Sequence, residues 1–226
     1  MYDTLFPGTL GRMDVQFGVS LATALAVFAV PQIERLTPVT MTDSACPSIA
    51  TQELPASIDM GRVRDAWFGW YNDERAEHGL ASYSPNGVLD HTAGNWSYYA
   101  VKRGTIDHKR SPQAPYYDYA GIERWFSDRG VTFENVRSKT FTENIGWGVF
   151  SCRDRDCTDE LIAAIRSTFD FFMSEKGKAY SPHYNAIVSD AFTQMGLGIA
   201  LDPTRKHYYL TAHFATSLAS VPADCR

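Results

Sequence analysis

The positions of the four cysteines allow disulfide bonds within the chain. Cys46 and Cys225 lie at the two ends of the main part of the sequence, and Cys152 and Cys157 lie close together. None forms a Cys-x-x-Cys pair, and no histidine stands at a zinc-finger offset from them. Four cysteines allow three pairings, or all four can stay reduced. We expect Cys46–Cys225 and Cys152–Cys157 disulfides, because an export-like segment precedes them. The longer bridge would stabilise the fold by about 4–5 kcal/mol through lost chain entropy.

That export-like segment is an uncharged apolar run, Phe17–Val30, which ends at Pro31. Its length of about fourteen residues suits a signal sequence better than a full membrane span of about twenty. The residues before it include Asp3, Arg12 and Asp14, which is not the positively charged start that a secretory signal prefers. A cleaved signal, an uncleaved membrane anchor and an ordinary core helix all stay open. We favour an uncleaved anchor, with the following domain outside the cytoplasm.

The sequence divides into three parts. Residues 1–36 contain the N-terminal apolar segment, and residues 37–58 are rich in Pro, Thr and Ser and read as a linker. Residues 59–226 have the patterns expected of one globular domain. A formal net charge of −5 and a pI near 5.7 give no electrostatic case for nucleic acid as a partner.

Both helical and strand periodicities occur within residues 59–226. Residues 59–80 and 87–102 have the spacing of amphipathic helices, and residues 116–125 indicate a shorter one. Strand alternation follows over residues 139–150, and a helix with Thr158 as its N-cap comes next. Two strands at residues 194–201 and 207–215 complete the pattern. This order predicts an α+β domain with antiparallel strands covered by helices.

Several short motifs follow one another in a fixed order. They are Tyr71-Asn72-Asp73-Glu74-Arg75, then His108, Thr142-Glu143-Asn144-Ile145-Gly146-Trp147-Gly148, Ser181-Pro182-His183-Tyr184-Asn185-Ala186-Ile187-Val188, and Met195-Gly196-Leu197-Gly198. The series resembles the CAP superfamily of cysteine-rich secretory, antigen-five and pathogenesis-related proteins and their bacterial SCP-like relatives. The resemblance covers about residues 65 to 215. It implies an α-β-α sandwich with a mainly antiparallel central sheet.

The resemblance also implies a central cleft in which two histidines meet two acidic residues. Matched position by position, these are His108, Glu143 and His183, with Glu175 as the fourth member or, as often in bacterial members, a serine, here Ser174 or Ser181. All four are candidate catalytic residues. His213 alternates with aromatic residues on a predicted strand and is expected in the core or on the sheet surface.

Such a cleft allows more than one chemistry. Neutral imidazoles are good zinc ligands, so His108 and His183 are candidate metal ligands, although zinc normally needs a third or fourth protein ligand. A glutamate beside a histidine can instead act as a general base on water. A hydrogen-bonded His–Glu pair can also simply tie a loop to a strand. The sequence has no Gly-x-Ser-x-Gly elbow and no cysteine in a catalytic context.

Three functions compete at this point. The first is an exported, non-catalytic binding module, anchored by its N-terminal helix and serving as an accessory subunit of a membrane protein assembly. The second is a metal-dependent hydrolase or peptidase that uses the His/Glu cleft, and the third is a carrier of lipid or a small ligand. We favour the first, because no nucleophile is apparent and the N-terminal segment resembles an anchor.

Overall fold

A computed structural model describes residues 46–134, 140–152 and 154–225. The predicted N-terminal apolar helix within residues 1–36 lies outside these residues, and so do residues 37–45 of the predicted linker. Among the helices that are described, none combines the length and the apolar character needed to cross a membrane.

Within the described ranges, five α-helices and six strands follow one another in a mixed order. The helices are α1 (Met60–Glu77), α2 (Gly87–Arg103), α3 (Tyr119–Ser127), α4 (Thr158–Met173) and α5 (Pro182–Ile187). The strands are β1 (Ser84–Pro85), β2 (Thr132–Phe133), β3 (Phe141–Val149), β4 (Gln194–Asp202), β5 (His207–Ala215) and β6 (Leu218–Ser220). The long elements confirm the predicted α+β class, whereas α5 and the short strands β1, β2 and β6 were not predicted.

The main sheet has four strands in the order β1-β4-β5-β3. β5 pairs antiparallel with both of its neighbours, and only the two-residue β1 runs parallel to β4. β2 and β6 form a separate antiparallel pair. As a result, the nine-residue strand β3 lies at an edge of the main sheet.

The sheet separates two layers of helices. On one face, Leu197 of β4 and Phe214 of β5 belong to a core shared with α1, α4 and α5. On the other face α2 lies directly on β4, where a Cβ added at Gly198 would be 1.9 Å from the backbone nitrogen of Gly94. Glycine at position 198 permits this close approach, since any side chain would collide with the helix backbone. The described residues therefore form the predicted α-β-α sandwich.

The ends of the helices follow from local sequence. The Asn86 side chain accepts a hydrogen bond from the backbone N–H of Leu89 at the start of α2, and Gly104 ends that helix with a left-handed φ of 69°. Thr158 was predicted as the N-cap of α4, and this is wrong by one residue. Cys157 is the N-cap, and the Thr158 N–H is held by the carboxylate of Asp156.

Both predicted disulfides form. Cys46 bonds to Cys225 and Cys152 bonds to Cys157. Cys46 and Ile49 are buried in the core of the α3 side, so the predicted linker of residues 37–58 extends too far. Residues 46–58 belong to the domain, because the bridge to Cys225 holds them against it. The two disulfides support the prediction of an exported protein, since such bonds persist in oxidising compartments.

Candidate functional site

A cleft of about 550 Å³ lies over the start of the edge strand β3. His108, Glu143 and His183 line it, and Glu175 is hydrogen-bonded to His183 just behind the cleft wall. The structure therefore brings all four sequence-predicted residues together. They form two separate His–Glu pairs, His108–Glu143 and His183–Glu175.

Glu143 is a buried carboxylate, and each of its two oxygens accepts two hydrogen bonds. Its Oε1 accepts from His108 Nδ1 at 2.8 Å and from Arg110 Nη1 at 3.0 Å. Its Oε2 accepts from Arg110 Nη2 at 2.7 Å and from His213 Nε2 at 3.1 Å. Arg110 thus binds the carboxylate through both of its terminal nitrogens, which is the strongest geometry for this kind of ion pair.

This environment decides the protonation state of Glu143. Burial by itself favours the neutral acid, but the Arg110 charge and the hydrogen bonds from His108 and His213 hold the pKa of Glu143 well below its usual value. A carboxylate that is this acidic and already accepts four hydrogen bonds is a poor proton acceptor. The arrangement therefore argues against Glu143 as a general base and gives it the task of orienting His108.

Arg110 was not found by sequence reasoning, although it neighbours His108 along the chain. Its guanidinium lies 3.6 Å from the ring centroid of Trp96 and 4.6 Å from that of Trp125. Stacking on two indoles stabilises a cation that is removed from water. The signal in the sequence was weak, because an arginine in a loop is usually solvated.

His213 was expected in the core or on the sheet surface, and its contact with Glu143 was missed. The two residues stand directly opposite each other in the β3–β5 register. Burial lowers the pKa of His213, so its ring is neutral at pH 7. Its Nε2–H then donates to Glu143, and its Nδ1 accepts from the Thr92 hydroxyl at 2.9 Å. A register of this kind cannot be read from the sequence alone.

The second pair is held by a helix end. Glu175 Oε1 lies 2.6 Å from His183 Nδ1, while Oε2 accepts from the backbone N–H groups of His183 and Tyr184. Glu175 therefore caps the first turn of α5, whose own N-cap residue, Ser181, makes no capping bond. The His183 ring also stacks on Phe172, with centroids 4.5 Å apart.

The two Nε2 atoms are the groups left over for a ligand. Both Nδ1 atoms are engaged by carboxylates, and no hydrogen bond to Nε2 of His108 or His183 is found among the described residues. Catalytic zinc sites use three protein ligands. No group of three or more His, Cys, Asp or Glu within the described ranges is arranged to hold a metal ion. The described residues thus fit a zinc enzyme poorly, since they offer two imidazoles alone.

A second cavity adjoins the cleft. This groove of about 680 Å³ runs between β3 and α4, and both cavities are lined by Tyr116 and His183. Large aromatic side chains around the two cavities are exposed, notably Tyr116, Phe171 and Tyr180. Such a grouping of exposed aromatic side chains is typical of an interaction surface.

Comparison with known sequences places the chain in a family. The sequence profile of CAP, the cysteine-rich secretory protein family, matches residues 69–214, which is more than half of the chain. The chain belongs to the CAP family, and the resemblance read from its motifs is confirmed. No curated protein sequence matches it.

Solved structures with a similar fold come from several bacteria. An outer surface protein from Borrelia burgdorferi is 12% identical, with a TM-score of 0.49 over 70% of this chain and 95% of that one. A cysteine-rich secretory protein from Staphylococcus aureus is 15% identical, with a TM-score of 0.44 over 74% of this chain and 42% of that one. The CAP domain of an enterococcal protein, PrgA, is 15% identical, with a TM-score of 0.47 over 75% and 67%. This chain thus spans less than half of the S. aureus protein.

Proposed function

We propose that this protein is an exported, non-catalytic binding module whose ligand occupies the cleft and the adjoining groove. The observation that carries this proposal is the state of the two carboxylates. Glu143 accepts four hydrogen bonds, and both oxygens of Glu175 are engaged in its three, so each carboxylate holds neighbouring groups in place instead of facing a substrate as a base or a nucleophile.

The hydroxyl groups of the cleft support the same conclusion. Partial burial and the nearby charge of Glu143 raise the pKa of Tyr117 to about 12, so its hydroxyl keeps its proton at neutral pH. Thr142 and Ser181 also line the cleft, but neither is hydrogen-bonded to a histidine among the described residues. An activated nucleophile needs such a base within hydrogen-bond reach.

The exposed aromatic side chains offer a binding surface for a partner. Phe171 is 59% exposed and Tyr180 is 77% exposed, and each lines one of the two cavities. Aromatic side chains are enriched at protein interfaces because they bury a large area at low entropic cost. We further propose that the apolar run Phe17–Val30 holds the domain at a membrane, as part of a larger membrane protein assembly.

The test is purification of the full chain in mild detergent. We expect a stoichiometric partner that Phe171→Ser or Tyr180→Ser releases. Tyr99→Ser serves as the matched control, because Tyr99 is 48% exposed and lines neither cavity. The proposal would be contradicted if neither Phe171→Ser nor Tyr180→Ser reduced partner binding, or if the protein were recovered as a lone monomer.

A peptidase assay on the same preparation separates the enzymatic alternative. The two Nε2 atoms that share one cleft are the feature that favours it. Turnover of casein that His108→Ala and His183→Ala both abolish would overturn the non-catalytic assignment, provided that thermal unfolding of the variants is unchanged.

A further inference from the structure

Among the described residues, the hydrogen bonding of β3 leaves one of its two edges without a partner strand. The backbone bonds Thr216 N–H to Thr140 O and Phe150 N–H to Lys206 O flank the paired region of β3 and β5. In an antiparallel pair, bonded and non-bonded positions alternate. The even-numbered residues of β3 therefore bond to β5, and the odd-numbered residues direct their backbone N–H and C=O groups away from the sheet.

The described residues cover only part of this outer edge. At its beginning, the Tyr117 hydroxyl lies 3.4 Å from Thr142 Oγ1 and shields the neighbouring backbone. Further along, the outward backbone groups of Ile145, Trp147 and Val149 have no hydrogen-bond partner in the described part of the chain. Three consecutive outward residues offer enough donors and acceptors for one short added strand.

The open part of β3 also lacks the usual protection of an edge strand. Natural proteins guard such edges with charged residues, proline or bulges. The segment Ile145-Gly146-Trp147-Gly148-Val149 has no charge and no proline, and its register with β5 is unbroken. Trp147 is 51% exposed and Val149 is 71% exposed. An unguarded, solvent-facing edge of this kind is a template for pairing with another chain.

The groove beside this edge is lined by Ile145–Val149 of β3 and by residues of α4. Ala164, Thr168 and Phe171 line it from α4, and Ile106 and Tyr116 also contribute to the lining. No Asp, Glu, Lys or Arg lines it, and His183 stands where the groove meets the cleft. Burying a charged ligand group here would leave that group without a partner, which is costly.

We infer that this groove binds an extended, uncharged peptide segment of a partner protein, which adds as a strand to β3. The inference rests on the proposed function and names the ligand class of that same site. Main-chain bonds to Ile145, Trp147 and Val149 supply affinity, and alternate side chains of the peptide meet α4 or the Trp147 side. A lipid chain would fill the apolar wall but leave the strand's donors and acceptors unpaired.

The probe is an array of uncharged pentapeptides built from Val, Leu, Phe, Thr and Ser, applied to the full chain. A matched array carries Asp or Lys at the central position. The tightest binder is then compared with the same peptide N-methylated at every amide, which keeps the side chains and removes the donors. We expect uncharged peptides to bind, charged ones to bind more weakly, and N-methylation to cost about tenfold or more in Kd.

The substitution Val149→Pro tests strand addition most directly. The N–H of Val149 points outward, so proline there removes a donor to the peptide without removing a bond to β5. We expect it to weaken peptide binding about tenfold, while Val149→Ala weakens it less than about threefold. Thermal unfolding verifies that both variants keep the fold.

Several results would overturn the inference. They are no binding by any array peptide, equal binding of the N-methylated peptide, and unchanged binding by Val149→Pro. A dimer in sedimentation that Val149→Pro converts into a monomer would instead identify a second copy of this chain as the occupant. If the array is silent but the detergent-purified partner is still released by Phe171→Ser, strand addition fails and the proposed function stands. If both experiments fail, both proposals fall.

Discussion

The two His–Glu pairs of the cleft contain the same side chains but are supported in opposite ways. In the first pair, Glu143 lies on the edge strand β3. The charge of Arg110 balances its carboxylate, and a second, neutral histidine, His213, donates a hydrogen bond to it. In the second pair, Glu175 lies between two helices and accepts from the backbone of α5. One pair is built into a buried ion network, and the other closes the end of a short helix.

The difference shows that the pairing of His with Glu does not by itself define a chemical role. The first carboxylate is part of a buried ion network, so removing it exposes an unbalanced cation in the core. The second carboxylate replaces a missing N-cap, so removing it frays one short helix. Both glutamates nevertheless have one common consequence, because each fixes the Nδ1 side of its histidine and leaves Nε2 for the cleft.

The largest effect is expected from Glu143→Gln. Because the substitution leaves the Arg110 charge buried without its counter-ion, we expect the free energy of unfolding to fall by about 3–5 kcal/mol. Chemical denaturation measures this loss. The double variant Glu143→Gln, Arg110→Met should recover part of it, since the stranded charge is gone. A loss below about 1 kcal/mol for the single variant would remove the distinction between the two pairs.

Acidification should lower the free energy of unfolding in two stages, first through His213 and then through Glu143. The pKa of His213 in the folded protein lies below its unfolded value, so its contribution is present above about pH 6.5 and is lost as pH falls. The pKa of Glu143 is also depressed, so its contribution is lost as pH falls below about 4.3. Each proton taken up costs up to about 1.4 kcal/mol per pH unit. Unfolding measured from pH 7 to pH 3 should be less pH-dependent below about pH 4 in Glu143→Gln. Stability that rises on acidification would contradict both assignments.

A smaller effect is expected from Glu175→Gln. The amide oxygen still accepts from the backbone of α5, so only the charge-assisted part of the capping is lost, about 1–2 kcal/mol. Amide hydrogen exchange should show the opening confined to α5, at the backbone of His183 and Tyr184. A global loss as large as that of Glu143→Gln would show that the two pairs are equivalent.

The smallest effect is expected from zinc. Two imidazoles without a third protein ligand should hold the ion weakly, so 100 µM zinc should raise the stability by less than about 1 kcal/mol, which corresponds to a Kd above about 20 µM. Calorimetry of the parent, His108→Ala and His183→Ala measures this directly. A larger stabilisation by zinc that either variant removes would show that the two pairs form one metal site.

Much of the fold was predictable, since it depends on local patterns. The amphipathic spacing in residues 59–80 and the alternation in residues 139–150 correspond to α1 and β3. The boundary at Gly104 followed from the conformational freedom of glycine. By contrast, α5 was missed because six residues are too few to establish a helical period.

The candidate site was predictable only through its motifs. His108, Glu143 and His183 were identified by their matching order, and the structure gathers them around one cleft. Arg110 and His213 carry no motif, and their roles appear only when β3 meets β5 and two indoles enclose the guanidinium.

The sequence by itself determined which segments become helices and strands, the family, and the cysteines available for bridging, because periodicity, capping and motif order act over short stretches of chain. The tertiary structure decided which charges are neutralised and which strand remains open. Within the described residues, Glu143 accepts four hydrogen bonds and β3 keeps one edge unpaired because of the register and order of the strands, which depend on pairing between segments far apart in the chain.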